Sequence, residues 1–101
     1  MPEGHTIHRA AIDHHRIFAR QKLIVSSPQG RFSEGASILN EQICSAVEAF
    51  GKHLLYKFDN KYTLHIHLGL FGRIRKRKLP LASPKGLVRV RLIGRTHLVD
   101  I

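Results

Sequence analysis

The feature that most constrains this chain is a change of period. Residues 5–18 repeat their apolar positions at helical spacing, whereas from Glu41 onward apolar residues recur at every second position. The stretch Tyr62–Leu68 is the clearest case, with Tyr62, Leu64, Ile66 and Leu68 alternating with Thr63, His65 and His67. Successive side chains of a strand point to opposite faces, so such a segment is a strand buried on one side. Just before it, His53–Phe58 sets Leu54, Tyr56 and Phe58 on one face, and Asp59-Asn60 fits a tight hairpin turn between the two. Arg73–Lys78 and Leu87–Ile93 follow, separated by the loop LPLASPKG; in the latter, Val88, Val90 and Leu92 face away from Arg89 and Arg91. Thr96–Ile101 begins one more strand.

Upstream, Ile7, Ala10, Ala11, His14, Ile17 and Phe18 define one amphipathic helix over residues 5–18, with Gly4 or its neighbours at the cap. Lys22–Ser26 reads as a short β-branched strand that SPQG breaks, and Ser33–Leu39 as a single helical turn. The expected fold is therefore mainly β with a flanking N-terminal helix, an antiparallel sandwich or half-barrel without linker, repeat or low-complexity segment. A domain of 101 residues buries only about 60–65% of its unfolded surface, so the core is single and modest. The 43% apolar content supports that core and argues against a disordered basic tail. HLVDI reads as a strand with nothing after it, an exposed edge of the kind natural domains usually cover. The expectation is a fragment of a longer protein, its sandwich incomplete at the C-terminal end.

Several classes are disfavoured at once. No apolar run approaches the roughly 18 residues needed to span a bilayer, and MPEGHTIHRAA lacks the apolar core of a secretory signal. Cys44 is the sole cysteine, so no internal disulfide forms, which fits a reducing compartment. The formal charge is +10, and it is uneven: nothing acidic lies between Asp59 and Asp100, where Lys61, Arg73, Arg75, Lys76, Arg77, Lys78, Lys85, Arg89, Arg91 and Arg95 gather. Such a field attracts polyanions, foremost nucleic acid; the plainer alternative is a solvated face kept for solubility.

Four constellations carry chemistry. In Met-Pro-Glu-Gly, removal of Met1 exposes the secondary amine of Pro2, which can attack an aldehyde-like carbon and form an iminium. Glu3 beside it is placed for general acid–base work, although Pro and Glu also suit any first helical turn. Lys52, in Gly51-Lys52-His53 between two strands, either holds a phosphate or is simply a solvated turn lysine. His65-x-His67 has a metal-compatible spacing, but no cysteine or carboxylate nearby in sequence completes a site, and no metal is assigned. Cys44 reads as a buried small hydrophobe. Leu70 and Phe71, in Gly69-Leu70-Phe71-Gly72, are either wedges that unstack a base step or core plugs at a strand turn.

Taken in order, the PEGHTIHR start, the GKHLL turn, the HIHLGLFG loop and the basic strand after it resemble the formamidopyrimidine-DNA glycosylase / endonuclease VIII family over essentially the whole chain. The PEGHTIHR and SSPQGRF segments are most similar to its actinobacterial endonuclease VIII branch. The resemblance implies the N-terminal catalytic domain, residues 1–101, of a bifunctional DNA glycosylase and abasic-site lyase of base excision repair. It implies oxidised bases, pyrimidines favoured, in double-stranded DNA as substrate, and a bacterial, cytoplasmic, nucleoid-associated setting. By the same resemblance Pro2 is the nucleophile, Glu3 the proton donor and acceptor for ring opening, and Lys52 a phosphate contact. Leu70 and Phe71 then fill the gap left by a flipped nucleotide, and Arg73, Arg75, Lys76 and Arg77 belong to the DNA-binding strand. The family's helix–two-turn–helix domain and zinc finger have no counterpart in the sequence, so no cofactor is assigned to this chain and the remaining half of the enzyme is an expected partner.

Overall fold

A computed structural model describes residues 4–67, 74–79 and 88–101. In chain order they form α1 (Gly4–Phe18), β1 (Gln21–Lys22), β2 (Ile24–Ser26), α2 (Ser33–Leu39), β3 (Ile43–Phe50), β4 (His53–Phe58), β5 (Thr63–His67), β6 (Arg75–Lys78), β7 (Arg91–Ile93) and β8 (His97–Asp100). The strands make two antiparallel four-stranded sheets, ordered β1-β3-β4-β5 and β2-β7-β8-β6. Their apolar sides, together with those of both helices, share one core that includes Phe18, Leu23, Ala36, Leu39, Val47, Leu54, Tyr56, Leu92 and Val99. The helix-flanked sandwich that the change of period implies is therefore the fold. Among the described residues no helix is long and apolar enough to cross a membrane.

The helical periodicity of α1 is realised almost residue for residue. Ile7, Ala11, His14, Ile17 and Phe18 are buried, Ala10 is half-buried, and Ile12, off the stripe, is exposed. In β4 the alternation is strict, with Leu54, Tyr56 and Phe58 buried between half-buried neighbours.

The structure corrects several local readings. Lys22–Ser26 is two strands, because the chain leaves one sheet for the other at Leu23. That residue is fully buried, and its N–H and C=O bond Gln42 and Glu41 at 3.0 and 2.8 Å. In β3 the period of two slips at Ser45, a β-bulge between Cys44 and Ala46 that moves the buried positions from Cys44 to Val47. The turn after β4 has three residues, Asp59–Lys61. Lys61 sits at φ 74°, and the Phe58 N–H bonds the Tyr62 carbonyl at 3.0 Å. Tyr62 is itself half of that closing pair and is exposed, so the buried run starts at Leu64; Leu68 lies outside the described residues.

Two corrections concern the second sheet. Val88, Val90 and Leu92 are buried and Arg89 is exposed as expected, but Arg91 is also buried, held by Asp100 of the neighbouring strand. The HLVDI segment is not an exposed edge: β8 lies between β7 and β6 and pairs with both. Hydrogen bonds between Ile101 and Val90 extend that pairing.

Candidate nucleic-acid interface

The position of Lys52 follows from Gly51. Phe50 pairs with His53 across a two-residue hairpin, and Gly51 has φ 60°. Only a residue without Cβ takes that conformation at little cost in the first central position of such a turn. Lys52 is thereby presented to solvent at the tip of the β3–β4 hairpin, beside Phe50, an exposed aromatic that the sequence pattern does not single out.

The hairpin register assembles a group that reading along the chain shows only in part. His53 pairs with His67 and Leu55 with His65, which brings three imidazoles onto the outer face of the first sheet. His53 Nδ1 lies 2.6 Å from His65 Nε2, and the His53 and His67 rings stack with centroids 4.5 Å apart at 18°. Partial desolvation, then the nearby His67 and His65, hold the His53 pKa below its ordinary value. The spacing of His65 and His67 is visible in the sequence. His53 is found only when the strands are folded back on each other. Among the described residues, no group of three or more His, Cys, Asp or Glu is arranged to hold a metal ion.

The basic strand β6 divides by the alternation of any strand. Arg75 and Arg77 stand opposite Asp100 and Leu98, whereas Lys76 stands opposite Val99. Lys76 reaches α1 and pairs with Asp13, whose carboxyl it holds below the usual range. Thus Arg75 and Arg77 share one face of the second sheet while Lys76 leaves it. Arg91 and Asp100 form a bidentate pair at 2.7 and 2.9 Å, both nearly inaccessible, which withdraws Arg91 from the basic surface.

Helix α1, which follows Pro2 and Glu3 directly in sequence, is fixed to the sandwich by three consecutive residues. Asp13 meets Lys76 of β6. His14 Nδ1 is 2.7 Å from the Tyr56 hydroxyl of β4, and the His15 Nδ1 accepts the Val47 N–H of β3 at 3.1 Å. His14 and Tyr56 are both buried. Burial lowers the His14 pKa to about 4 and raises that of the tyrosine, so the pair is neutral at pH 7. Cys44 is buried, and its thiol is pushed up to about 11, an inert core residue as expected. Pro2, Glu3, Leu70, Phe71 and Arg73 lie outside the described residues.

The sequence matches the family model of the formamidopyrimidine-DNA glycosylase N-terminal domain over residues 1–99. The chain belongs to that family. Endonuclease 8 1 of Mycobacterium tuberculosis (strain ATCC 25618 / H37Rv) and of Mycobacterium bovis are each 43% identical to the domain over 105 residues, covering all of it and 39% of the relative. The domain thus spans about two fifths of the length of these curated relatives. Among solved structures, MutM in complex with carbocyclic 8-oxo-G containing DNA superposes with a TM-score of 0.81 at 18% identity. The match covers 98% of the domain and 40% of that chain. Lactococcus lactis Fpg non-covalently bound to DNA containing an AP site gives 0.81 at 16% identity, with the same two coverages. At these identities the likeness establishes the fold, a two-sheet sandwich with its N-terminal helix.

Proposed function

We propose that this domain is the N-terminal catalytic part of a bifunctional DNA glycosylase and abasic-site lyase that removes oxidised bases, pyrimidines favoured, from double-stranded DNA. The observation that carries the reading is the family match across residues 1–99, which takes in the Pro2-Glu3 start and the Gly51-built turn that presents Lys52. The solved neighbours described with 8-oxo-G or abasic-site DNA, and the +10 charge, support a DNA partner.

In this reading Pro2, freed of Met1, attacks the anomeric carbon through its secondary amine. The base departs with a proton, and the nitrogen and sugar carbon are left as an iminium once the ring opens. Glu3 carries the protons for ring opening. The iminium acts as an electron sink, so loss of the adjacent proton expels the phosphate and cuts the strand. Lys52 holds a phosphate beside the flipped nucleotide, while Leu70 and Phe71 fill the gap and offset part of the few kcal/mol of unstacking. Arg73, Arg75, Lys76 and Arg77 supply the basic strand, with Lys76 exchanging Asp13 for phosphate. No cofactor is proposed for this chain.

The test is borohydride trapping on duplex containing an abasic site. Protein processed to expose Pro2 is expected to give a covalent adduct, and Pro2→Ala or Met1-retaining protein none. Adduct formation that survives both changes overturns the role of Pro2. A second reading, a basic module that holds nucleic acid through phosphates without chemistry, is supported by the +10 charge alone; binding without adduct by the processed protein establishes it. With about five phosphates neutralised, log affinity falls against log salt with a slope near −4 to −5.

A further inference from the structure

A single exposed apolar side chain needs no special explanation in a folded domain. Phe50 is set apart by where the fold puts it. It is 75% exposed, the highest value among the described large apolar residues, and it flanks the Gly51-Lys52 turn at the tip of the β3–β4 hairpin. Its neighbour Ala49 is the one that faces the core. Cross-strand partners share a face of the sheet, so Phe50 lies with His53 on the outer side, away from the packed interior. Among the described residues no ring contact engages it. Glu48, the preceding residue of β3 on that face, is paired with Lys57 at 3.0 Å, so its charge is compensated. The hairpin tip thus offers an open aromatic face beside the exposed ammonium of Lys52.

An aromatic ring next to a cation suits one part of a nucleic acid above others. In a fully paired duplex the faces of the bases are covered by their neighbours, and a surface ring gains little from them. A base freed from the stack presents its π-face, and an aromatic side chain in basic surroundings holds it whatever its identity. Base flipping creates that disruption of the stack. We propose that Phe50 is a stacking platform for a base displaced from the DNA helix, acting beside the phosphate that Lys52 holds. This inference rests on the nucleic-acid reading above. It adds an uncharged contact that distinguishes unstacked from paired DNA, which neither Lys52 nor the arginines would do through phosphates.

The experiment compares the whole chain with Phe50→Ala on two fluorescein-labelled duplexes, one fully paired and one carrying a bulged base. On the bulged duplex the variant is expected to bind about tenfold more weakly, within the range for loss of one base–aromatic stack. On the paired duplex the loss is expected to stay below about twofold. The lost contact carries no charge, so the salt slope is expected to be unchanged, whereas Lys52→Ala lowers it by about 1. The side chain is exposed, so the melting temperature is expected to hold. The chain contains no tryptophan, and Phe50→Trp therefore places a lone indole at the tip. That variant is expected to keep the parent affinity and to lose emission on adding the bulged duplex but not the paired one. Tyr62→Ala removes another exposed aromatic, at the far end of β4, and is expected to leave both affinities unchanged. Equal losses by Phe50→Ala on the two duplexes, an equal loss by Tyr62→Ala, or undiminished indole emission in the bulged complex overturns the inference. Absence of binding by the parent chain to either duplex overturns both this inference and the DNA reading. Binding that Phe50→Ala leaves intact overturns this inference alone.

Discussion

The same two chemistries occur in this domain at two depths. An imidazole hydrogen bond is buried between α1 and β4 as His14–Tyr56, and another stands in solvent between β4 and β5 as His53–His65. A carboxylate ion pair is buried between β7 and β8 as Arg91–Asp100, and another crosses the outer face of the first sheet as Glu48–Lys57. The inner member of each pair joins elements that the chain must bring together. Its groups are spent on the fold, because a buried polar group without its partner is costly. The outer member adds little to stability and keeps its nitrogens within reach of a ligand. The lesson is that neither the count of histidines nor the formal charge describes the binding surface until depth is known.

The ion pairs give the sharpest contrast. Asp100→Asn deprives the buried Arg91 guanidinium of its carboxylate and is expected to cost about 3–5 kcal/mol in urea unfolding. An effect below about 1 kcal/mol would place that pair with the surface one. The imidazoles come next. His14 titrates near 4 in the fold against 6.5 for the unfolded chain, so the unfolded state takes up its proton first as pH falls. Its contribution is complete above pH 6.5, declines between 6.5 and 4, and amounts to about 3 kcal/mol over that window. Urea titrations across the window test this, and the His14→Phe/Tyr56→Phe double variant is expected to lose that part of the acid sensitivity. The smallest effect belongs to Glu48→Gln, expected to change stability by less than about 1 kcal/mol and by still less in high salt. A larger change would show that the outer face, too, is committed to the fold.

The fold was legible wherever a single period ran uninterrupted, as in α1 and β4. It was not legible where one residue broke the phase. The bulge at Ser45 transfers burial from even to odd positions of β3, and the third turn residue, Lys61, leaves Tyr62 outside the buried run. Both depend on pairing between strands, which a one-dimensional pattern does not contain. Arg91 illustrates the same limit, since its alternation matches that of Arg89 while its burial goes with an ion pair to Asp100 on the neighbouring strand. For the site, Pro2, Glu3 and Lys52 stand out because motif and chemistry coincide in short segments. His53 does not, because its partners lie across a hairpin. Counting back from the Asp59–Lys61 loop would have placed it opposite His67.

The place of β8 has a consequence for how the domain comes into being. In sequence it follows every other described strand, yet in space it separates β7 from β6. The first sheet is built from hairpins and one short flanking strand, and can assemble as its residues leave the ribosome. The second has no completed ladder between β6 and β7 until its latest-translated strand is inserted. Its formation is therefore a late, non-local step. Helix α1, translated before that first sheet, packs against β3 and β4, so this half of the core can close on its own before β8 completes the other.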